Sequence, residues 1–317
     1  MVAEKMVKKL VSVVITTRNR KENVLACLSS VYTNDYPNSE VILADNASTD
    51  GTTEAVKKKY PKVKLAVAKE NLGLNGGKNL GQKLAKGDYI FFLDSDTIID
   101  KKLLSELIKT AESDSKIGLV CPKMYFFDQK NVIWYAGTYV NMFTSQTFNI
   151  GCNEEDNGQY DQVRETQFAP TAYLAKRSVI NKLKGHDETF FMTYGDTDFG
   201  FRARENGFKV LFCPTAKLWH RLGKEENSKT IRSLGYNLPM RAYYFARNRV
   251  IFMKKHASLV NFIFFMIVFF PLFTFYFIAK IIFFGANWKF LKPHLLGTWD
   301  GLLFAVTGVL NQNKDYR

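Results

Sequence analysis

The sequence predicts an α/β protein with a Rossmann-like, mostly parallel central sheet, and three observations predict it. Short apolar runs rich in β-branched and aromatic residues, at 11–15, 41–44, 63–68 and 89–93, alternate with helix-like stretches. Their spacing suits strand–helix–strand crossovers. Each run also ends in polar residues: Thr17 and Asn19, Asp45 and Asn46, Asn71, then Asp94 and Asp96. Ligands bind at the carboxyl ends of strands in such sheets, so these groups mark one candidate site.

The first strand opens into the polar loop Thr16-Thr17-Arg18-Asn19-Arg20. A helix is expected from there to about residue 31, because Val24, Leu25, Leu28 and Val31 recur at spacings of three and four. A helix is expected over 52–60 and the third strand over 63–68. The glycine-rich stretch 71–81 reads as a loop running into a helix that stops at Gly87. Two strands are expected between 117 and 140, a mobile polar loop over 151–161 and a strand over 168–174. A short helix over 178–183, a helix over 198–206 and a short strand over 210–213 complete this part.

The tail differs in kind. Residues 257–279 form a run of about 23 without a charge, long enough to cross a bilayer. Pro271 sits in its middle, and a break there leaves halves of roughly 20 Å, which suits a re-entrant or in-plane hairpin instead. A buried pair of core helices is the alternative without a membrane. The run 302–310 is too short to span and is expected at the interface. Lys289, Lys292 and His294 favour a return to the cytoplasmic side. The expected division is therefore an α/β domain over 1–255, which carries the strand-end site, and membrane-associated helices over 256–317.

A 46% hydrophobic and 23% charged composition excludes wholesale disorder. The net charge of +14 favours polyanionic partners. No nucleic-acid-binding motif accompanies it, so nucleic acid is not an expected partner. Arg241, Arg247, Arg249, Lys254 and Lys255 crowd the apolar tail and point to an anionic lipid surface. The four cysteines form no CxxC pair and read as buried thiols of a reducing compartment. Lys5, Lys8 and Lys9 precede a strand too short for a signal-peptide core, so the α/β domain is expected at the cell membrane, facing the cytoplasm.

Asp94-Ser95-Asp96 ends the fourth strand, and two carboxylates so placed can hold a hard divalent cation that bridges phosphate oxygens. The alternative is a strand-ending turn. Alternation along an extended strand puts both side chains on one face. Gly76 and Gly77 allow backbone amides to approach phosphate closely. The segment is neither a P-loop nor a dinucleotide fingerprint: Gly77-Lys78 is followed by Asn79, and the stretch follows the third strand.

Together, residues 11–20, Asp45 to Thr52, Asn71 to Gly81 and Leu93-Asp94-Ser95-Asp96 resemble the successive signatures of glycosyltransferase family 2, which has a GT-A fold. Gly185 to Phe191, Tyr194 to Asp198, Pro214 and His220 continue the pattern in order, and Arg247-Asn248-Arg249 before an apolar tail resembles the rhamnosyltransferase-like members. The resemblance covers roughly residues 10–255. It implies a nucleotide-diphosphate sugar donor, UDP- or dTDP-linked, a saccharide or lipid-linked acceptor, and Mn²⁺ or Mg²⁺.

The resemblance also assigns roles. Thr17, Asn19 and Asp45 line the base-and-ribose pocket. Arg18 stands where the family usually has Tyr, and a guanidinium can also stack on a base. Asn71, Gly76, Gly77, Lys78, Asn79 and Ser95 belong to the donor side, with Lys78 either on the diphosphate or solvated. Asp96 and His220 are the metal ligands, with Asp94 as a further ligand or directed at ribose; packing of His220 against Trp219 is its alternative. Asp196 is the catalytic base, unless it only caps a helix beginning near Thr197. Gly195 replaces a family Glu, a departure that leaves Asp198 to share the load. Asp187, Glu188 and Asp198 shape the acceptor side. Thr171-Ala172 replaces a usual Gly-Ala and narrows the sugar pocket. A sugar-nucleotidyltransferase and a non-catalytic nucleotide-sugar-binding membrane module are the rival readings. The former's Arg-Leu-x-Pro-like segment after the first strand is absent.

Overall fold

Seven consecutive buried residues form β1 (Val11–Thr17), the strand around which the sheet is built. Such unbroken buried runs belong to strands covered on both faces, as in parallel sheets. The computed structural model describes residues 9–221, 238–284 and 288–311, so Lys5 and Lys8 lie outside the described residues. β1 is flanked in parallel by β2 (Ser39–Asp45) and β4 (Tyr89–Asp94), and β3 (Lys64–Val67) extends the β2 side. On the other side β11 (Ala172–Lys176) joins β4 and β6 (Ile117–Phe126) antiparallel, and β12 (Lys209–His220) runs parallel to β6. The two-residue β10 (Arg164–Glu165) closes that edge, while β5 (Thr97–Ile99) pairs with the end of β12 and β7 (Ile133–Tyr135) with β6. The α/β, mostly parallel expectation holds.

Helices α1 (Lys21–Tyr32), α2 (Thr52–Lys59) and α3 (Gly73–Gln82) connect the first four strands. The stretch read as a glycine loop is thus mostly α3 itself. A Cβ on Gly77 would stand 2.6 Å from Thr16 Cγ2, and one on Gly81 2.5 Å from Val14 Cγ1. The glycines let the helix lie directly on β1. Helix α4 (Leu103–Glu112) was not expected, although Leu103, Leu104, Leu107 and Ala111 recur at helical spacing and are buried. Helices α5 (Arg177–Leu183) and α6 (Gly195–Glu205) follow, the latter three residues earlier than expected. β12 is far longer than the short strand read at 210–213 because it continues past a register shift to reach β5.

The loop 151–161 is not loose. The fully buried Lys123 ammonium lies 2.9 Å from Asp156 and 2.7 Å from Asp161, and the Tyr125 hydroxyl also donates to Asp156. A small antiparallel hairpin, β8 (Thr138–Asn141) with β9 (Gln146–Asn149), stands off the main sheet.

In the tail, a basic helix (Pro239–His256) packs against the catalytic body and against the C-terminal helix (Leu291–Thr307). The apolar run forms one continuous helix, Leu259–Phe283, so Pro271 does not break it. A π-turn at Phe265–Phe269 precedes the proline. Widening the helix there accommodates a residue that lacks an N–H and crowds the preceding turn. Arg247 and Arg249, read as surface charges, are buried instead, and so is His294. Arg247 donates to the Thr189 carbonyl and lies over the Tyr244 ring, while Asn248 Nδ2 lies 2.7 Å from the Met192 carbonyl oxygen. Arg247 and Asn248 clamp the 189–193 loop.

Candidate active site

Register builds the site from neighbouring strand ends. Thr17 pairs with Asp45 and Thr16 with Asp94, so β1 is flanked by two carboxylates at its carboxyl end. Asp45 is fully buried; Oδ1 accepts from the Ser48 N–H at 2.9 Å and Oδ2 accepts from the Thr53 hydroxyl. Asn19, left-handed at φ 51°, joins this loop from the other side, its Oδ1 accepting from the Thr49 N–H at 2.7 Å. Arg18 is exposed at the rim. Asn71 reaches the same edge by a 3.1 Å contact with Asn46 Nδ2.

The turn at Ser95–Asp96 ends the extended geometry that alternation assumed, and β5 then brings the segment beside β12. Asp96 Oδ1 lies 3.4 Å from His220 Nε2, and Arg20 forms an ion pair with Oδ2. The His220 ring packs on Trp134, 4.5 Å between centroids. Burial opposes ionisation of Asp96, but His220 and Arg20 outweigh it and draw the carboxyl down to about 2. Asp94 behaves oppositely. Burial pushes it up to about 7 against the pull of Lys78, and the negative charges of Asp96 and Asp196 add to the rise. Like charges held close in a buried site cannot all ionise freely. Asp94, Asp96, Asp196, Lys78 and His220 therefore form one electrostatic cluster.

Lys78 is neither solvated nor free for phosphate. It is fully buried and ion-paired with Asp196. Asp196 lies in the first turn of α6, behind the N-cap Tyr194, so it is not the cap. Its Oδ1 also accepts from the Tyr173 hydroxyl at 3.1 Å, and Tyr173 in turn meets His186 Nε2. Burial, then Lys78 and Arg202, hold His186 well below its ordinary value, so the ring is neutral. With Tyr173 donating to Asp196, Nε2–H of His186 is the donor to Tyr173. Tyr173, His186 and Arg20 were not read from the sequence; no spacing rule joins a strand residue to a helix residue 23 positions away.

The Asn79 amide donates to the His186 carbonyl and to Glu188 Oε1, both at 2.9 Å, and accepts from the His186 N–H. It is a clip for the 186–188 loop. Asp198 is buried among Arg202 at 2.6 Å, His256 at 2.9 Å and Lys255 at 3.0 Å. Asp187 shares Lys255 with it, and Glu188 is exposed beside Gly76. Gly195 has a local reason: a Cβ there would collide with the Asn75 side-chain oxygen.

Four buried oxygens along this edge, Thr16 Oγ1, Thr17 Oγ1, Asp94 Oδ1 and Asp96 Oδ1, have no hydrogen-bond partner among the described residues. Buried polar atoms are normally paired, so an unpaired row at strand ends is a place built to receive polar groups. No group of three or more His, Cys, Asp or Glu able to hold a metal occurs among the described residues. Any cation here takes its remaining ligands from elsewhere.

The model of the family described as Glycosyl transferase family 2 matches residues 12–183. The chain belongs to that family. Among curated relatives, the dTDP-rhamnosyl transferase RfbF of Shigella flexneri is 24% identical over 317 residues, covering 94% of this chain and 96% of the relative. Glycosyltransferase GlyG of Streptococcus pneumoniae serotype 4 is 26% identical over 184 residues, covering 55% of this chain and 59% of that protein, so the chain matches little more than half of its length. The fold is that of GT-A glycosyltransferases. The mannosyltransferase PcManGT from Pyrobaculum calidifontis, solved with GDP-Man and Mn²⁺, superposes with a TM-score of 0.57 at 14% identity, covering 92% of this chain and 86% of that one.

Proposed function

We propose that this protein is an inverting glycosyltransferase that moves a sugar from a UDP- or dTDP-linked donor to a hydroxyl of a saccharide or lipid-linked acceptor. We divide it into a catalytic domain over 1–255 and membrane-associated helices over 256–317, with the catalytic domain on the cytoplasmic face. The observation that carries the reading is the convergence of Asp94, Asp96 and His220 with Asp196 around one strand edge lined by unpaired oxygens. The whole-length likeness to a protein named for dTDP-rhamnosyl transfer favours a dTDP-sugar donor.

In this reading Thr17, Arg18, Asn19 and Asp45 receive the base and ribose. Each Asp45 oxygen keeps a lone pair for a ring N–H despite its contacts with Ser48 and Thr53. Asp96 and His220 would hold Mn²⁺ or Mg²⁺, with Asp94 beside them and further ligands from outside the protein. Two carboxylate oxygens without hydrogen-bond partners beside an imidazole suit Mn²⁺ better than Mg²⁺. Bound there, such a cation supplies positive charge to the departing diphosphate.

Asp196 accepts the acceptor's proton as its oxygen attacks the anomeric carbon opposite the diphosphate; the new C–O bond forms as the bond to phosphate oxygen breaks. Lys78 and Tyr173 both engage Oδ1, which fixes the carboxylate and leaves Oδ2 for the hydroxyl. Product analysis tests this. Incubation with UDP- and dTDP-sugars and a lipid-linked saccharide is expected to release nucleoside diphosphate with transfer of the sugar. Released pyrophosphate would instead indicate a nucleotidyltransferase, and binding without turnover a non-catalytic module.

A further inference from the structure

We infer that the apolar helix Leu259–Phe283 lies in the plane of one membrane leaflet rather than crossing the bilayer, with the tip of the β8–β9 hairpin seated in the same leaflet. The inference rests on the membrane association proposed above and specifies its mode. Length and composition alone suit a span, since the 25-residue helix, with an 18-residue stretch of mean hydropathy 2.4, reaches about 37 Å. Packing decides otherwise. The helix runs back along the basic helix Pro239–His256. Phe265 and Phe270 share a buried cluster with Val250 to Met253, further on Phe277 and Ile281 share one with Ala242, and the Phe277 ring meets Phe245 at 5.6 Å. The Arg249 guanidinium lies 4.7 Å from the Phe273 ring, near the middle of the apolar run. At one end stand Lys255, His256 and Asp198, joined within 3.0 Å. Crossing in this docked state would carry that ion cluster and Arg249 into hydrocarbon, which is costly for every such group.

The opposite face is laid out for lipid. Leu259, Ile263, Ile267, Phe275 and Phe283 project outward along the helix, with Ile267 71% and Phe283 77% exposed. The hairpin extends the patch: Phe143 meets Phe264 edge-on at 6.0 Å, and Tyr139 and Phe148 stack beside it. Trp299 of the C-terminal helix is exposed as well. The charge around the patch selects the occupant. Residues 238–311 carry eight Lys and Arg and a single acid, Asp300, which is buried. Lys254, Lys289 and Lys292 are exposed near the apolar strip. Apolar surface rimmed by cations matches an anionic leaflet, with the aromatic and basic groups at headgroup level.

Flotation of the full chain with vesicles tests this, using phosphatidylcholine alone or with phosphatidylglycerol, the chains brominated near the headgroup or near the methyl end. Binding is expected to rise at least tenfold with phosphatidylglycerol. A tryptophan introduced by Leu272→Trp is expected to show greater quenching by shallow than by deep bromines, measured against the parent protein. The Ile267→Glu/Leu272→Glu variant is expected to lose flotation while keeping its circular dichroism and nucleotide binding. Strongest quenching from deep bromines overturns the in-plane mode alone, because residue 272 is central in a span. Absence of flotation overturns membrane docking altogether, as does a dimer in vesicle-free buffer that the two glutamates dissociate. Sugar transfer to a soluble acceptor is read separately, so failure of the proposed activity is distinguishable from either.

Discussion

Lys78 of α3 and Asp196 of α6 form an ion pair in which the ammonium is fully buried and the carboxylate nearly so. The two residues come from helices 118 positions apart, and their contact joins the donor half of the sheet to the proposed base. Removing one partner of such a pair leaves an uncompensated buried charge. Lys78→Met is expected to destabilise the fold by about 3–5 kcal/mol, whereas adding Asp196→Asn to it recovers much of the loss. Urea unfolding of the two single variants and the double variant gives the coupling. Additive losses would mean that the pair is not formed in solution. Asp196→Asn alone is expected to lower sugar transfer at least a thousandfold with nucleotide affinity within twofold, measured by kinetics and calorimetry.

The Asn75 side chain fills the space beside Gly195. Gly195→Ala is therefore expected to overpack the start of α6, costing about 1–3 kcal/mol and slowing transfer by displacing Asp196. Asn75→Ala in the same chain is expected to restore most of both. Thermal unfolding and kcat of the double variant decide; no rescue would locate the strain elsewhere.

Chelation has a direct readout. EDTA is expected to abolish transfer, and Mn²⁺ to restore it more effectively than Mg²⁺. Asp96→Ala or His220→Ala is expected to raise the Mn²⁺ concentration needed for half activity at least tenfold. Activity indifferent to EDTA would remove the metal from the proposed reaction.

Asp198 sets an acid limit on stability. Burial resists its ionisation, but His256, Arg202 and Lys255 prevail and hold the carboxyl far below its ordinary value. A carboxyl depressed in the folded state contributes fully above the unfolded value, about 3.9, and loses that contribution as pH falls toward the folded one. The chain is expected to lose stability steeply below about pH 4, and Asp198→Asn is expected to flatten that limb while lowering stability at neutral pH. Denaturant midpoints from pH 3 to 7 measure both; an unchanged acid limb would exclude Asp198 as its source.

Thr171 holds a left-handed backbone at φ 69° just behind Asp94, whose N–H donates to the Thr171 carbonyl at 2.9 Å. A β-branched residue is strained there, and the resemblance expects glycine at this position. Thr171→Gly is expected to stabilise the fold by about 1 kcal/mol, read as a rise in Tm of several degrees. A fall would show that the Thr171 side chain contributes more by packing than its backbone costs.

The sequence alone determined the alternating architecture, the strand ends that carry the polar groups and the existence of the apolar tail. These follow from local patterns: β-branched runs, helical spacing and a charge-free stretch announce themselves within a few neighbouring residues. It also singled out Asp94, Asp96, Asp196 and His220, though their order along the chain says nothing of their distances. Only the tertiary structure decided that Lys78 meets Asp196, that Asn79 clips a loop and that Asp198 lies among Arg202, Lys255 and His256. Such contacts depend on how α3, α6 and the Pro239–His256 helix stack on the sheet. The glycines of α3 were legible as small residues but not as packing surface, because a missing Cβ gains meaning only from the strand lying against it. The helix around Pro271 was settled in the same way: composition made it apolar, and the neighbour it packs on fixed its direction.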